Sequence, residues 1–262
     1  MAFYYVQPNE DAALTATVTA SAADGAYPAA NIVNGIPSKP AKLTTATGYW
    51  QFDLGSAKQI YLVALIHHNL VAAQTISLIG TDNPANFGSP TVSTVITIPA
   101  PHEDGYTTNA WSASMANNAL RYWRIVVGTS NGSVLPAIGE VILASALHTL
   151  ERGGLGRNAQ RAETRLTKEQ KTDGGTVLHY DYGVTERSLT GDVIASATGI
   201  ASIMSWWRSC KGRMTPTLIV PDSSADAWYC LFTQPNINYK RQSRFGLPVT
   251  LAFTEAPRGL AL

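Results

Sequence analysis

The chain has 262 residues, of which 45% are hydrophobic and 14% are charged, and its formal net charge is +1. That balance gives no overall field to attract nucleic acid or an anionic membrane. The length suits one large domain or two ordinary ones. The low charge content leaves open a surface covered by neighbouring subunits or a plain Gly- and Thr-rich β-protein.

Short strands separated by turn residues are predicted throughout the first 146 residues. Strands are predicted over 14–20, 50–54, 60–67, 75–80, 92–98, 122–127 and 138–144. Over 14–20 and around Trp50 and Trp123, apolar and polar residues alternate with the period of a half-buried strand. The stretch 99–118 is predicted to be a loop, because Pro, Gly, Asn and Ser dominate it. No apolar stripe of helical period occurs over 1–146, so this half predicts an antiparallel β-sandwich.

The composition changes at 147–158, a glycine-rich and charged stretch that is predicted to link the first domain to a second one at 159–262. Strands are predicted in the second domain at 159–167, 176–182, 184–193, 217–220, 227–233 and 247–254. A helix is predicted over 195–210. We therefore expect a mainly β protein, with a β-sandwich or split barrel and one packed helix in its second half.

The predicted helix carries an apolar stripe at three- and four-residue steps, made of Ile200, Ile203, Met204, Trp207 and Cys210. Trp206 falls off that stripe, which makes it our leading candidate for a contact between subunits or domains.

A second candidate contact lies in the polar stretch 236–245, which carries Lys240, Arg241 and Arg244 between aromatic neighbours. Basic residues interleaved with aromatic ones can bind single-stranded nucleic acid. Three charges make a small patch, however, and edge strands use Lys and Arg to block unwanted pairing. We interpret the three as edge protection or a subunit contact.

The two halves of the chain differ in charge. Residues 1–146 contain five Lys and Arg against eight Asp and Glu, whereas residues 147–262 contain fourteen against ten, which suits two domains with different partners or unrelated ancestry.

Cys210 and Cys230 lie among apolar residues, which predicts buried free thiols. No apolar run approaches the roughly twenty residues of a membrane helix, and the N-terminus lacks a signal-peptide pattern. We expect a soluble protein made in a cytoplasm.

For the most conspicuous side chains of the first domain, a structural role is preferred to a functional one. Trp50 and Trp123 occupy strand positions that face a sandwich interior, so we predict core packing rather than sugar stacking. His67 and His68 point to opposite faces of a strand and cannot share one metal ion without a bulge. His68 and Asn69 are therefore predicted to make structural hydrogen bonds at the strand end.

No motif in the chain supports a reaction. The sequence has no Gly-x-Ser-x-Gly elbow, no His-Glu-x-x-His pair and no phosphate-cradling glycine loop. We predict a protein that is not an enzyme and holds no cofactor. Glu140 could contribute to a calcium site near 31–35 or cap a turn there, and capping is preferred because calcium takes six to eight oxygen ligands.

Four segments, in this order, resemble the discoidin or galactose-binding-like jelly rolls: Tyr49–Gly55, Ile60–Ile66, Arg121–Ile125 and Ile138–Ile142. The upstream Tyr27–Gly35 and the strand end Ile66–Leu70 are similar to versions found in bacteriophage tail proteins.

That resemblance places any ligand pocket in the loops at one end of the jelly roll. Tyr27, Lys42 and Tyr49 are the only glycan-contact candidates there. These loops lack the pairing of an exposed aromatic residue with an arginine that sugar binding leads us to expect.

The order of elements in the second domain resembles the hub domain of siphophage distal tail proteins, which oligomerises into a ring. The resemblance implies a homo-oligomeric ring, a hexamer in that family, at the tail tip or baseplate of a virion, synthesised in the host bacterial cytoplasm. Its partners would be other baseplate proteins or a host-surface glycan, bound by the projecting sandwich. Two alternatives stay open: a free, non-catalytic carbohydrate-binding module and a glycan-degrading accessory enzyme.

Overall fold

The computed structural model describes residues 3–100, 109–113, 115, 118–129, 134–151, 154–155, 159–171, 177–221, 227–237 and 247–256, with the backbone alone for 165–171 and 177–185. Within these ranges the chain forms sixteen strands and one α-helix, α1 (Ala197–Ser209). The strands are β1 (Tyr4–Val6), β2 (Thr17–Ala20), β3 (Ala41–Lys42), β4 (Gly48–Gln59), β5 (Leu62–His68), β6 (Ile76–Thr81), β7 (Val92–Ile96), β8 (Ala110–Ser112), β9 (Ala119–Val127), β10 (Ala137–Ala144), β11 (His148–Thr149), β12 (Gln160–Lys171), β13 (Val177–Ala195), β14 (Thr217–Val220), β15 (Trp228–Phe232) and β16 (Leu247–Glu255).

Two antiparallel sheets form the sandwich predicted for the first half. One has the order β2-β4-β9-β6-β7 and the other the order β3-β10-β5-β8. Alternation along β4 and β9 turns Trp50 and Trp123 inward, where both are fully buried. Their predicted role in the core is confirmed, as is the mainly β fold class.

Two predictions for this half need correction. Of the predicted strand 14–20 only Thr17–Ala20 is extended, because Ala12–Thr15 forms a 3-10 turn that Asp11 caps through the backbone N–H of Ala13. The predicted loop 99–118 contains β8, which pairs with β5.

The four-stranded sheet is covered on both faces. Every residue of β10 is buried, and so are six of the seven residues of β5. One face packs into the sandwich core, and the other packs Leu62, Ala64 and Ile142 against Leu218 and Val220. Strands buried on both faces are expected to be almost continuously apolar, which explains the long hydrophobic runs of β5 and β10.

The third sheet has seven strands in the order β11-β1-β14-β15-β16-β13-β12. The N-terminal strand β1 lies in it, with Tyr5 opposite Ile219 and His148, although the sequence assigns residues 1–146 to the first domain. Through β1, the start of the chain is part of the seven-stranded sheet. Within the described ranges no helix is both long enough and apolar enough to cross a membrane.

Helix α1 packs on the face of this sheet that is turned away from the sandwich. Its N-terminus is capped by Ser196, whose hydroxyl accepts a hydrogen bond from the Gly199 N–H at 3.1 Å, while the carboxylate of Glu151 accepts from both the backbone and the hydroxyl of Ser196 at 2.6 Å. Cys210 and Cys230 are buried free thiols, as predicted.

Trp206, our leading candidate for a contact between subunits or domains, lies inside the fold and not at its surface. Its side chain is 0% exposed, whereas Trp207 is only partly buried. The buried face runs through Gly199, Ile200, Ile203, Trp206 and Cys210. It shares three residues with the predicted stripe, and its centre is rotated from that of the stripe by about 50°, at about 100° per residue. Trp206 therefore fills the core and leaves no surface for a second subunit.

Strands β12 and β13 continue as a hairpin beyond the body of the sheet. Strand β16 pairs with β13 only over 188–195, whereas β12 pairs with β13 as far as Lys171 and Val177. We call the two-stranded part, 163–171 with 177–187, the hairpin arm. The predicted strands 176–182 and 184–193 are one strand here. The candidates Lys240, Arg241 and Arg244 lie outside the described residues.

Candidate functional site

The outer face of the five-stranded sheet is polar and aromatic. Alternation along β4 and β9 places the half-buried Tyr49, Gln51, Asp53, Tyr122 and Arg124 on this face, opposite the core. The register brings two of them together, because Gln51 lies directly across from Arg124. Side chains from two strands therefore form one surface.

Arg124 is held between two aromatic rings at the centre of this face. Its guanidinium carbon lies 3.9 Å from the centre of the Tyr49 ring and 3.7 Å from that of Phe87, and its Nε donates to Gln51 Oε1 at 2.9 Å. Phe87 comes from the β6–β7 connection and is buried there. We call Tyr49, Gln51, Phe87 and Arg124 the arginine clamp.

The clamp fixes the orientation of a group that is well suited to ligand binding. A guanidinium has five N–H donors in one plane, and here only one of them has a partner within the clamp. Burial lowers the pKa of Arg124, yet an arginine remains charged at neutral pH. The result is a preorganised cation with donors left for a ligand beside a half-buried tyrosine ring.

A second arginine lies further along the same face. Arg121 binds Asp53 through two parallel hydrogen bonds of 2.7 and 2.8 Å, and its guanidinium lies 4.9 Å from the Tyr122 ring centre. The hydrogen bonds from Arg121 lower the pKa of Asp53. This pair is half-buried at the surface and adds little to stability, but it neutralises a carboxylate on the same face as the clamp.

The three predicted glycan-contact residues fall into two places. Lys42 Nζ lies 5.7 Å from the centre of the Tyr27 ring, and the Lys42 N–H donates to the Tyr27 carbonyl at 3.1 Å. Tyr49 instead belongs to the arginine clamp. Ser21 links the turn that holds Tyr27 to the start of β4, since its N–H donates to the Tyr49 carbonyl and its hydroxyl accepts from the Tyr49 N–H, both at 3.0 Å.

Sequence reasoning missed Arg124, Phe87 and Gln51. It required an aromatic–arginine pair within the end loops, whereas the pair forms on a sheet face between two strands and one loop. The available signal was alternation, which puts Arg124 on the opposite face from Trp123. The register that sets Arg124 beside Gln51 could not be read from the sequence.

Asn69, which directly follows β5, makes the structural hydrogen bonds predicted for it. The Asn69 amide donates to the Leu135 carbonyl at 2.9 Å and accepts from the Ala137 N–H at 2.8 Å. It thereby ties the end of β5 to the chain entering β10. His68 is buried beside it.

Two buried acids lie between the sandwich and the seven-stranded sheet. Glu140, which is 0% exposed, accepts from the Gly35 N–H at 2.9 Å, so its predicted turn-capping role is confirmed. Asp11 accepts from the N–H groups of Ala13 and Leu143 at 2.9 and 3.0 Å. Burial raises the pKa of Asp11 to about 7, and burial together with the nearby Asp11 raises that of Glu140 to about 9. No group of three or more metal-binding side chains occurs within the described part of the chain.

Replacing Glu140 by glutamine is expected to flatten the pH dependence of stability. The folded state keeps a proton on Glu140 that the unfolded chain loses near its ordinary pKa, so stability falls as pH rises towards about 9. One such group costs up to about 1.4 kcal/mol per pH unit. Urea unfolding from about pH 5 to pH 8 should therefore show a smaller loss in Glu140→Gln than in the wild type.

Asp53→Asn is the matched control for this experiment. The pKa of Asp53 is lowered, so its contribution to stability is lost only as pH falls through the acid range, below the window tested. The control should keep the wild-type slope. Equal slopes for Glu140→Gln and the wild type would contradict the raised pKa of Glu140.

No protein-family model matches the sequence, and no curated protein matches it. The solved structures similar to the chain include carbohydrate-binding and lectin modules. A chitosan-binding module from a chitosanase/glucanase of Paenibacillus sp. IK-5 is 17% identical over 50% of this chain and 96% of that chain, with a TM-score of 0.38. The lectin domain of lectinolysin, complexed with Lewis B antigen, is 17% identical over 51% and 95%, with a TM-score of 0.40. A Streptococcus pneumoniae fucose binding module is 16% identical over 52% and 95%, with a TM-score of 0.41. Likenesses at this level say nothing of what this chain binds.

Proposed function

We propose that the chain is a non-catalytic carbohydrate-binding protein whose sandwich holds the sugar at the arginine clamp. The observation that carries this proposal is the fixed guanidinium of Arg124 between Tyr49 and Phe87. A sugar ring offers hydroxyl acceptors at its edge and apolar C–H groups on its faces. A held fork of N–H donors beside a tyrosine ring matches both features.

Preorganisation is the physical advantage of such a site. The two rings and Gln51 restrict Arg124 before any ligand arrives, so little side-chain entropy remains to be lost on binding. The clamp lies on an outer sheet face whose side chains are half-buried, which suits weak binding by one site. Several copies displayed together would raise the overall affinity by avidity.

Replacing Arg124 by alanine or by lysine is expected to weaken glycan binding at least about tenfold, because charge-assisted hydrogen bonds are lost and lysine has no planar fork. The test is a glycan array on the full chain, followed by titration of each variant with the glycan that binds best. Tyr49→Ala should weaken the same glycan by a similar factor.

Tyr61→Ala is the control, since Tyr61 is an exposed tyrosine at the start of β5 and not part of the clamp. It should bind as the wild type does. A glycan that binds wild type, Arg124→Ala and Arg124→Lys equally would refute the clamp as the site.

A second candidate function is favoured by the hairpin arm. We propose that the chain assembles into a ring of identical copies at a phage tail tip or baseplate, as the resemblance of its two halves to tail proteins implies. Two-stranded hairpins are marginally stable alone, and no described strand pairs with the outer edge of β12. An unpaired strand edge of this length is a template for another chain. A head-to-tail contact between copies gives a ring when the rotation from one copy to the next closes.

Shortening the arm tests this candidate. Replacing residues 166–184 by Asn-Gly joins the paired Arg165 and Thr185 through a two-residue hairpin turn. Light scattering should show that the wild type associates as its concentration rises and that the shortened chain stays monomeric. A wild type that remains monomeric at high concentration, or a shortened chain that still associates, would refute arm-mediated assembly.

A further inference from the structure

A basic, concave surface lies at the end of helix α1, far along the chain from the arginine clamp. This open concavity has a volume of about 420 Å³, within the usual range of small-molecule sites. The lining consists of Trp207, Arg208, Lys211, Gly212, Arg213, Met214 and Pro235. Three of these seven residues are cationic and none is acidic.

The three cations are available to a ligand. Arg208, Lys211 and Arg213 are solvent-exposed, and none of them forms an ion pair with another described residue. Arg213 is partly fixed, because one of its terminal N–H groups donates to the Thr233 carbonyl at 3.3 Å. Like charges this close in sequence repel one another, and a bound anion would relieve that repulsion.

The carbonyl groups at the end of helix α1 compete little with a ligand for the three cations. Its last carbonyls already accept hydrogen bonds from the following turn: the Gly212 N–H donates to Trp207 at 3.0 Å and the Lys211 N–H to Arg208 at 2.9 Å. Gly212 has a φ of +70°, the left-handed conformation that ends a helix in this way. The negative end of the helix is therefore covered by backbone, and the cations face the solvent.

Apolar groups lie beside the cations. Trp207 is half-buried, and Met214 is 81% exposed, far more than an unbranched apolar side chain usually is. Trp207 and Met214 thereby place apolar surface directly beside the three cations. The ring of Trp207 packs against Gly212, where an added Cβ would lie only 3.2 Å from it, so the ring is held in place.

We propose that this cavity binds an organic anion that carries a phosphate or a carboxylate on an apolar ring. The oxyanion lies among Arg208, Lys211 and Arg213, and the ring packs on Trp207 and Met214. Arginine and lysine provide charge-assisted hydrogen bonds to such oxygens. The site is independent of the arginine clamp, since the two share no residue.

The test is an NMR titration of the full chain with phenyl phosphate, benzoate and phenol, following the indole N–H resonance of Trp207, which Trp207→Phe identifies. Phenyl phosphate should bind saturably and at least about tenfold more tightly than phenol, the same ring without the charge. Comparison with benzoate shows which oxyanion is preferred. Arg208→Gln/Lys211→Gln should weaken phenyl phosphate at least about tenfold.

Lys39→Gln/Lys58→Gln removes two cations from the sandwich and is the matched control, which should bind phenyl phosphate as the wild type does. Arg124→Ala should leave this binding unchanged as well, which separates the site from the proposed glycan function. Equal binding of phenol and phenyl phosphate would overturn the proposal. So would the absence of saturation by about 10 mM ligand, or an unaltered affinity in the Arg208→Gln/Lys211→Gln variant.

Discussion

Replacing Glu255 by alanine is expected to destabilise the folded chain by about 3–5 kcal/mol. Glu255 accepts two hydrogen bonds from Arg187, of 2.8 and 2.6 Å, and both side chains are only 2% exposed. The Arg187 guanidinium also lies 4.5 Å from the centre of the Trp228 ring. Truncating Glu255 leaves a buried cation without its carboxylate, and that desolvated charge is the source of the cost. Urea unfolding followed by circular dichroism measures the change.

A double variant separates the loss of the pair from the cost of removing only one of its two charges. Arg187→Met/Glu255→Leu removes both charges and keeps apolar volume, so it should be more stable than Glu255→Ala. A cost below about 1 kcal/mol for Glu255→Ala would contradict the buried ion pair. Equal destabilisation of the single and double variants would show that packing, and not charge, is what the pair supplies.

The ion pair also bears on the hairpin arm. Arg187 is the residue of β13 next to Ser188, where pairing with β16 begins, and Glu255 ends β16. The pair therefore fixes β13 at the point where the arm leaves the sheet. Glu255→Ala should increase amide hydrogen exchange at the base of the arm before it does so in the sandwich.

The sequence predicted well those elements whose signal is local. Alternation around Trp50 and Trp123 located β4 and β9, and the apolar stripe located α1 to within two residues at its start and one at its end. The strand Thr217–Val220 was predicted with its observed bounds. The helix and the two sandwich strands bury one face, so the order of their residues carries the period of the structure. Thr217–Val220 is buried at every residue and was predicted as a short apolar run.

Elements defined by their partners could not be predicted. Strand β1 has three residues and β8 has three, too few to show a period, and each exists because a neighbouring strand supplies its hydrogen bonds. The arginine clamp depends on the register between β4 and β9 and on the path of the loop that delivers Phe87. Register is a tertiary property, since a shift of one residue would turn Arg124 into the core.

Helix α1 was predicted at the right place in the chain, but Trp206 was wrongly placed off its buried face. The helix was predicted from residues at three- and four-residue steps, but Trp206 and Trp207 are neighbours and either could anchor such a stripe. The choice is made by aromatic packing from other strands: the Trp206 ring lies 4.0 Å from Tyr5, 4.8 Å from Phe232 and 5.4 Å from Phe253, between ring centres. Tyr5 belongs to β1, the strand that the sequence did not reveal.

Replacing Trp206 by alanine is accordingly expected to cost about 3–5 kcal/mol, the usual range for removing a large buried aromatic ring. Its indole N–H donates to the Thr217 hydroxyl at 2.9 Å, and that hydroxyl donates to the Val6 carbonyl at 2.6 Å. Trp206→Phe keeps a ring but breaks the first bond of this chain, so it should cost less than Trp206→Ala. Thermal and urea unfolding of the variants provide the measurement.

Trp207→Ala decides between the two faces of the helix. Trp207 is partly exposed and lies at the margin of the core, so its truncation should cost about 2 kcal/mol or less, below the cost of Trp206→Ala. If Trp207→Ala cost more stability than Trp206→Ala, Trp207 and not Trp206 would lie on the buried face, as the sequence predicts. A fully buried Trp206 also means that its loss acts on folding, so any change in self-association should follow the loss of stability and never precede it.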